Sequence, residues 1–211
     1  MKNKRITPIL RIIVEIAALA IFVVLFLNHK LQMWIILFGA SALLSLLFGR
    51  FYCSWICPMN TSFKLISLVY GKIGIKRFKT PGFLKNGKIR FILLVLFVAS
   101  MLITKKMGLK IDMLLYVTVF AVFLTLFFEE NFWHRRLCPY GTILSLTSRP
   151  SRYRMNIDEA GCISCGKCQK VCPSDSIITL EDKKRRIIKH ECLLCGKCAD
   201  VCPEAVCQFK F

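Results

Sequence analysis

The C-terminal part of the chain repeats one cysteine string, which constrains the fold more than any other feature. Each copy has the spacing C-x2-C-x2-C-x3-C-P, and the copies begin at Cys162 and Cys192. In this spacing a short loop presents three thiolates to one [4Fe-4S] cube, while the fourth thiolate reaches a second cube. The strings therefore predict two neighbouring iron-sulfur clusters and an electron-carrying module.

The crossed arrangement assigns four cysteines to each cluster. The predicted ligands of the first cluster are Cys162, Cys165, Cys168 and Cys202. The predicted ligands of the second cluster are Cys192, Cys195, Cys198 and Cys172. Zinc ribbons are disfavoured because they need paired C-x2-C units separated by a longer insert. A disulfide framework is disfavoured because we identify no cleavable secretory signal.

The segment from Met155 to about Phe209 resembles the bacterial two-cluster ferredoxins. This resemblance implies a small α+β domain with pseudo-twofold symmetry. It also implies a β-hairpin with strands at 176–180 and 186–190, joined by a charged turn at 181–185. Cys207 is interpreted as a spare thiol, because both cysteine strings are already complete.

The part of the chain that precedes the ferredoxin-like segment has the composition of a membrane protein. Hydrophobic residues make up 55% of the chain and the mean hydropathy is +0.56, which is too apolar for an ordinary soluble domain. The apolar runs that explain this excess are 9–27, 31–48, 91–103 and 113–128. The first two are long enough to span a bilayer, and the other two need extension or snorkelling lysines and arginines. We therefore predict four transmembrane helices in 1–150 and a ferredoxin domain in 151–211. The alternative is two spans plus a buried helical pair.

The distribution of charge predicts the orientation. The formal net charge is +19, and residues 1–150 contain 20 Lys plus Arg against 4 acidic residues. The excess positive charge therefore flanks the predicted spans. The basic residues lie mostly before the first span and between the second and third spans. The positive-inside rule thus places both termini, the central loop and the ferredoxin domain in the cytoplasm of a multi-pass inner-membrane protein. Lipid headgroups are the expected partner of these bases, and no feature indicates nucleic acid binding.

A sequence repeat organises the membrane part. Aligning Cys57 with Cys138 places Cys53 over His134 and a proline after each aligned cysteine. Each copy follows two predicted spans, so both motifs are expected on the cytoplasmic side. Three thiols and an imidazole suit an iron-sulfur cluster, zinc or copper(I), so the four residues form a candidate third metal or cluster site. The alternative is that they are buried side chains at helix boundaries.

Together, the four spans, the C-x3-C-P motif with its second copy and the C-terminal strings resemble the NapH-type membrane quinol dehydrogenases. The chain also resembles the C-terminal membrane part of NosR and the copper reductase CcoG. The resemblance covers about residues 9–209, and it departs at His134, where the family pattern has a cysteine. It implies the quinol dehydrogenase-type electron-transfer subunit of an oxidoreductase complex, acting between the quinone pool and a partner subunit or soluble carrier. The alternative is a membrane metal (copper) reductase or cofactor-assembly factor.

Two acidic residues are candidates for proton transfer near a quinone. Glu15 lies within the first predicted span, where a carboxylate is costly, although Arg11 at i−4 offers a local ion pair. Asp112 opens the fourth span and could instead complement a helix N-terminus. No motif for covalent haem or covalent flavin is found. Residues 61–70 are expected to form an interfacial helix, followed by a basic linker at 71–87 that could dock an acidic carrier.

Overall fold

The computed structural model describes residues 6–75, 77–78, 87–108 and 112–210. A helical domain extends to Thr147, and a smaller domain begins at Arg154. Part of the predicted basic linker, residues 76 and 79–86, lies outside the described residues, as do both ends of the chain.

The helical domain contains a long helix at each of the four predicted apolar runs. In chain order its helices are α1 (Ile6–Leu27), α2 (Met33–Phe48), α3 (Phe51–Trp55), α4 (Pro58–Ile73), α5 (Lys88–Lys106), α6 (Met113–Phe127), α7 (Glu130–Phe132) and α8 (Pro139–Thr147). Within the described ranges, one segment is long and apolar enough to cross a membrane by length and composition, namely Ile9–Leu27 in α1. Helices α2 and α6 are apolar but shorter, at 16 and 15 residues. Four spans therefore stay a prediction.

The long helices expose many large apolar side chains, and they bury several small or polar ones beside a few large ones such as Trp34. The buried face of α6 consists of Leu114, Thr118, Ala121 and Thr125, which are three or four residues apart. Both threonine hydroxyls donate to the carbonyl four residues earlier, at 2.7 Å. In α2, Ser41 and Ser45 are buried, whereas Ile36 and Leu43 are 71% and 72% exposed. Close contact through small residues, with apolar side chains outward, is typical of helices that pack in lipid.

After each pair of long helices the chain makes the same wide turn. The N–H of Cys57 donates to the carbonyl of Tyr52, and the N–H of Cys138 donates to that of Trp133, both at 3.0 Å. These bonds span five residues rather than the four of an α-helix, and the second turn is a short π-helix at Trp133–Leu137. A proline then starts α4 and α8, where the missing N–H costs no helical hydrogen bond. The sequence repeat is thus also a backbone repeat.

Helix α4 is longer than the predicted interfacial helix at 61–70. It begins at Pro58 and continues to Ile73, where Gly74 in a left-handed conformation ends it. Phe63 lies in the core of the helical domain, and α4 packs against α1 and α6. The helix is therefore part of the helical domain rather than an appendage.

The C-terminal domain has two antiparallel strand pairs and two short helices, α9 (Lys167–Lys170) and α10 (Lys197–Val201). Its strands are β1 (Arg154–Ile157), β2 (Ile177–Thr179), β3 (Arg185–Ile187) and β4 (Cys207–Lys210). Strand β1 pairs with β4, and β2 pairs with β3. The β2–β3 hairpin occurs where it was expected but is shorter. Arg185, expected in the turn, pairs with Thr179, so the turn is confined to 180–184.

The two cysteine loops have the same backbone conformation. Positive φ occurs at Ser164, Gly166 and Asp175 in the first loop and, at the equivalent positions of the second, at Leu194, Gly196 and Ala205. Left-handed residues turn successive N–H groups toward the inside of a loop, which suits an anionic group such as a thiolate cluster. The backbone therefore has the pseudo-twofold relation that the ferredoxin resemblance implied.

The C-terminal domain packs against one end of the long helices. Arg11 in α1 donates to the carbonyl of Cys195, and Arg90 in α5 pairs with Glu191. The end of α2 meets the same domain at Gly49, which is buried and has a positive φ of 66°. The start of α1, the end of α2 and the start of α5 therefore lie at the same end of the helical domain.

Candidate metal centres

The structure brings the eight ferredoxin cysteines together in two groups of four. One cavity is lined by Cys162, Cys165, Cys168 and Cys202. A second cavity is lined by Cys172, Cys192, Cys195 and Cys198. In each cavity three thiols come from one string and the fourth comes from the other string. These are the two crossed sets expected from the sequence.

The residues around these cavities fit iron-sulfur clusters. The rest of the second cavity is lined by apolar side chains such as Met155 and Ile187, together with Ser174, Ser176 and Lys197. Backbone N–H groups point at the sulfurs, with Ser176 donating to Cys172 Sγ at 3.4 Å. Burial, together with the neighbouring Cys195, raises the pKa of the Cys192 thiol to about 12. The metal-free thiol is therefore protonated at neutral pH, and metal binding would release its proton.

The two cavities differ in their access to solvent. Cys165 in the first set is exposed, and the adjacent Ile163 is 58% exposed. Cys192 in the second set is buried, and the carbonyl of Cys195 in the same set accepts a hydrogen bond from Arg11 of the helical domain. The second set therefore lies on the side of the helical domain, and the first set reaches the surface.

Cys207 lies in the wall of the first cavity. It is buried, and its thiol interacts with Cys168 and Cys198. Aligning the two strings with each other places Cys207 on Ile177, which is also buried and lines the other cavity. Since the equivalent residue is isoleucine, the position is a core position of the domain.

In the repeated motif, Cys53, Cys57 and Cys138 are close enough for each thiol to act electrostatically on the others. Burial, followed by the neighbouring Cys53, raises the pKa of the Cys138 thiol to about 12. The N–H of Gly141 donates to Cys138 Sγ at 3.3 Å, and Arg50 Nη2 lies 4.0 Å from Cys53 Sγ. Cys53 and Cys138 are buried and Cys57 is half-buried, so the three thiols share a largely buried, partly cationic environment.

His134 is buried near this site, but its ring has other neighbours. It packs edge-on against Phe63, with ring centroids 5.3 Å apart, and its Nε2 has no hydrogen-bond partner. Burial lowers the pKa of the imidazole to about 4, and Glu130 only partly opposes this shift. The ring is therefore neutral at physiological pH, and its free nitrogen is able to accept a bond or bind a metal.

Among the residues that the structure describes, no three His, Cys, Asp or Glu side chains are placed to hold a single metal ion. A four-iron cube keeps its thiolate ligands farther apart than a single ion does, so the cluster interpretation is unaffected.

A buried charge network, which the sequence did not reveal, joins the two domains. Glu191 of the C-terminal domain accepts from Arg50 Nη1 at 2.9 Å and from Ser145 at 3.0 Å, and it also pairs with Arg90. The side chain of Arg50 is 0% exposed, and its Nη2 also donates to the carbonyl of His134 at 3.4 Å. Burial disfavours ionised Glu191, but the two arginines outweigh it and hold the pKa of the carboxyl below its ordinary value.

The two candidate proton-transfer residues lie apart, Glu15 within α1 and Asp112 before α6. Glu15 is buried and pairs with Arg11 at 3.4 Å, which confirms the local ion-pair interpretation, and it also pairs with Lys64 of α4. The side chain of Asp112 makes no capping hydrogen bond to α6. Glu15 is thus engaged by two cations near the middle of α1.

Two family models match the chain. A model described as "4Fe-4S binding domain" matches residues 31–76 and again 111–157, once for each copy of the repeat. A model described as "4Fe-4S dicluster domain" matches residues 154–203, which contain both cysteine strings.

The chain is also similar to several curated proteins. An uncharacterized protein of Methanocaldococcus jannaschii is 30% identical over 145 residues, covering 66% of this chain and 57% of the relative. The putative electron transport protein YccM of Escherichia coli is 27% identical over 163 residues, covering 66% and 45%. The ferredoxin-type protein NapH of Haemophilus influenzae is 28% identical over 158 residues, covering 67% and 55%. The chain belongs to the NapH-type family.

Membership of the NapH-type family supports electron transport by 4Fe-4S domains. The matches span about half the length of these relatives. No solved structure matches the chain.

Proposed function

We propose that this chain carries electrons between a lipid-soluble quinone and a redox partner. The observation that carries the proposal is the placement of the two crossed cysteine sets. The set that contains Cys192 lies against the helical domain, and the set that contains Cys165 reaches the surface. With the two sets in these positions, electrons could pass from a site at the helices through the second set and then the first set to a partner that docks on the C-terminal domain.

We assign one [4Fe-4S] cluster to each set. The first is held by Cys162, Cys165, Cys168 and Cys202, and the second by Cys192, Cys195, Cys198 and Cys172. When bound, each cluster takes up and releases one electron, so the pair matches the two electrons that a quinol gives up with its two protons.

A third cluster is proposed at the repeated motif. The support is the mutual proximity of the thiols of Cys53, Cys57 and Cys138 and the double match of the 4Fe-4S binding model to the repeat. His134 is the candidate for the fourth ligand, because its buried Nε2 lacks a partner. Arg50 would offset negative charge at this site, since its guanidinium is buried beside Cys53.

The helical domain is proposed to span the cytoplasmic membrane four times. Its exposed apolar faces and its small, polar buried faces support this arrangement. The C-terminal domain lies at the end of the helices where the sequence carries most of its bases, which supports a cytoplasmic position. Two of the four spans, α2 and α6, are short, so they would need a locally thinner bilayer or extension by their flanking residues.

The partner is proposed to dock near Cys165. Lys167 and Lys170 are exposed beside it, so an acidic surface would complement this face.

The proposal is tested with anaerobically purified protein in liposomes. A menaquinol or ubiquinol analogue is mixed with oxidised protein, and the clusters are followed by electron paramagnetic resonance. If electrons flow from quinol, the signal of reduced clusters appears, and if they flow the other way, quinone oxidises clusters that were reduced beforehand. Fully loaded protein that exchanges electrons with neither form would overturn the proposal.

A further inference from the structure

A large cavity lies between the helical domain and the second cysteine set. Its volume is about 510 Å³, which is within the range of small-molecule sites. Its walls come from α1, α2, α3, the residue before β1, the loop at 194–196, α10 and β4. The lining includes Arg11, Leu44, Trp55, Cys195 and Asp200.

The cavity is mostly apolar and borders the exposed helix faces. Leu44 and Phe48 of α2 and Phe51 and Trp55 of α3 form one wall. Leu44 is 47% exposed, so the wall continues into the outward apolar face of α2. A molecule dissolved in lipid therefore has an apolar path into the cavity.

The charged groups of the lining come from both domains, Arg11 from α1 and Asp200 from α10. Arg11 lines the cavity and donates through Nη1 to the carbonyl of Cys195. Its Nε lies 3.4 Å from Glu15 and has no hydrogen-bond partner, although it is buried. The exposed residue Asp200 also lines the cavity. One cationic donor and one anionic acceptor thus share the cavity with Cys195, a member of the second cysteine set.

We propose that this cavity binds the ring and the first isoprenoid units of a lipid-soluble quinone or quinol. Ring carbonyls accept hydrogen bonds and ring hydroxyls donate them, which matches the Arg11 and Asp200 pair, while the apolar wall suits the tail. A phospholipid fits less well, because its phosphate favours several cationic donors and is repelled by the carboxylate. The inference rests on the proposed function and gives its lipid-soluble substrate a location.

The site is tested by photolabelling the full chain in nanodiscs. The probe is an azido-benzoquinone with a short isoprenoid tail, and the labelled residues are mapped by mass spectrometry. Label is expected in residues 44–55 and 194–200, and an excess of unlabelled quinone should remove it. Label elsewhere, or label that phospholipid removes equally well, overturns the site, and so does the absence of label.

A cavity-filling substitution provides the matched comparison. Leu44→Trp places a large ring inside the cavity, whereas Leu43→Trp places it on the neighbouring position, which is 72% exposed and does not line the cavity. Filling the site should weaken probe binding by about tenfold or more. Leu43→Trp should bind as the unsubstituted chain does. Equal binding by both variants, with cluster content intact, overturns the site.

Failure of the site is distinguishable from failure of the proposed function. If quinol still reduces the clusters of Leu44→Trp at the original rate, quinone acts elsewhere and electron transfer stands. If the probe labels the cavity but no quinol or quinone exchanges electrons with the clusters, the binding site stands and the proposed function fails. The label map of the unsubstituted chain decides the location if Leu44→Trp does not fold.

Discussion

Replacing Glu191 by glutamine tests whether the buried charge network holds the two domains together. The substitution keeps the shape of the side chain but removes the charge shared by Arg50 and Arg90. Since the side chain of Arg50 is 0% exposed and that of Arg90 is 10% exposed, solvent cannot replace the lost partner. Leaving a buried charge without its partner typically costs about 3–5 kcal/mol.

The assay is native-state proteolysis of the cluster-loaded chain in detergent. When opening is rapid and reversible, the cleavage rate follows the population of the opened state. A loss of about 3 kcal/mol would raise cleavage between the domains by about 100-fold or more. The double variant Arg50→Met with Glu191→Gln should lose less than the sum of the two single losses, because the two side chains are directly coupled.

The control is Glu159→Gln in the same domain. Glu159 also pairs with an arginine, Arg186, at 2.6 Å, but both side chains are exposed to solvent. Exposed ion pairs contribute little, so cleavage should stay nearly unchanged. Equal cleavage of the two variants, with equal iron content, would refute the view that the buried network holds the domains together.

Four further outcomes follow from the structure. The unsubstituted chain should contain about 12 irons and the Cys57→Ala variant about eight, measured by iron and sulfide analysis. Equal iron content in the two proteins would contradict the proposed third cluster. Cys207→Ile should keep the ferredoxin signals, because isoleucine occupies the equivalent position in the first half, whereas a lost signal would make Cys207 a ligand. Gly141→Ala should destabilise the chain by about 1–3 kcal/mol in thermal unfolding, since the added Cβ would lie 2.7 Å from Arg50 Nη2; Gly39→Ala, with nothing within 4 Å, should not. A C-terminal fluorescent protein should fluoresce in cells and an alkaline phosphatase fusion should be inactive; the reverse would place the C-terminal domain outside.

The parts that sequence predicted are those set by local spacing. The spacing of each cysteine string determines which thiols share a loop, and the structure groups them as expected. The apolar runs likewise predicted the positions of four helices, and aligning Cys57 with Cys138 identified the repeat in which the structure shows two matching wide turns. These features depend on residues close together in the chain or on a visible repeat.

The parts that sequence missed depend on distant residues. Arg50 and Glu191 are separated by 141 positions, and neither belongs to a motif, although each lies next to one. The cavity beside Cys195 is formed by both ends of the chain, so no single segment shows it. The hairpin was placed correctly, but its ends depend on pairing such as Thr179 with Arg185, which composition does not resolve.

The contact between Arg11 and Cys195 has a consequence for biogenesis. Helix α1 leaves the ribosome early, whereas the loop it contacts is made 184 residues later. Arg50 likewise waits for Glu191, so the helical domain carries this cation without its counter-charge until residue 191 has been synthesised. If the proposed cluster forms in the loop at 192–198, its assembly would accompany the docking of the two domains, and a chain short of iron would be expected to leave the Arg50 site open.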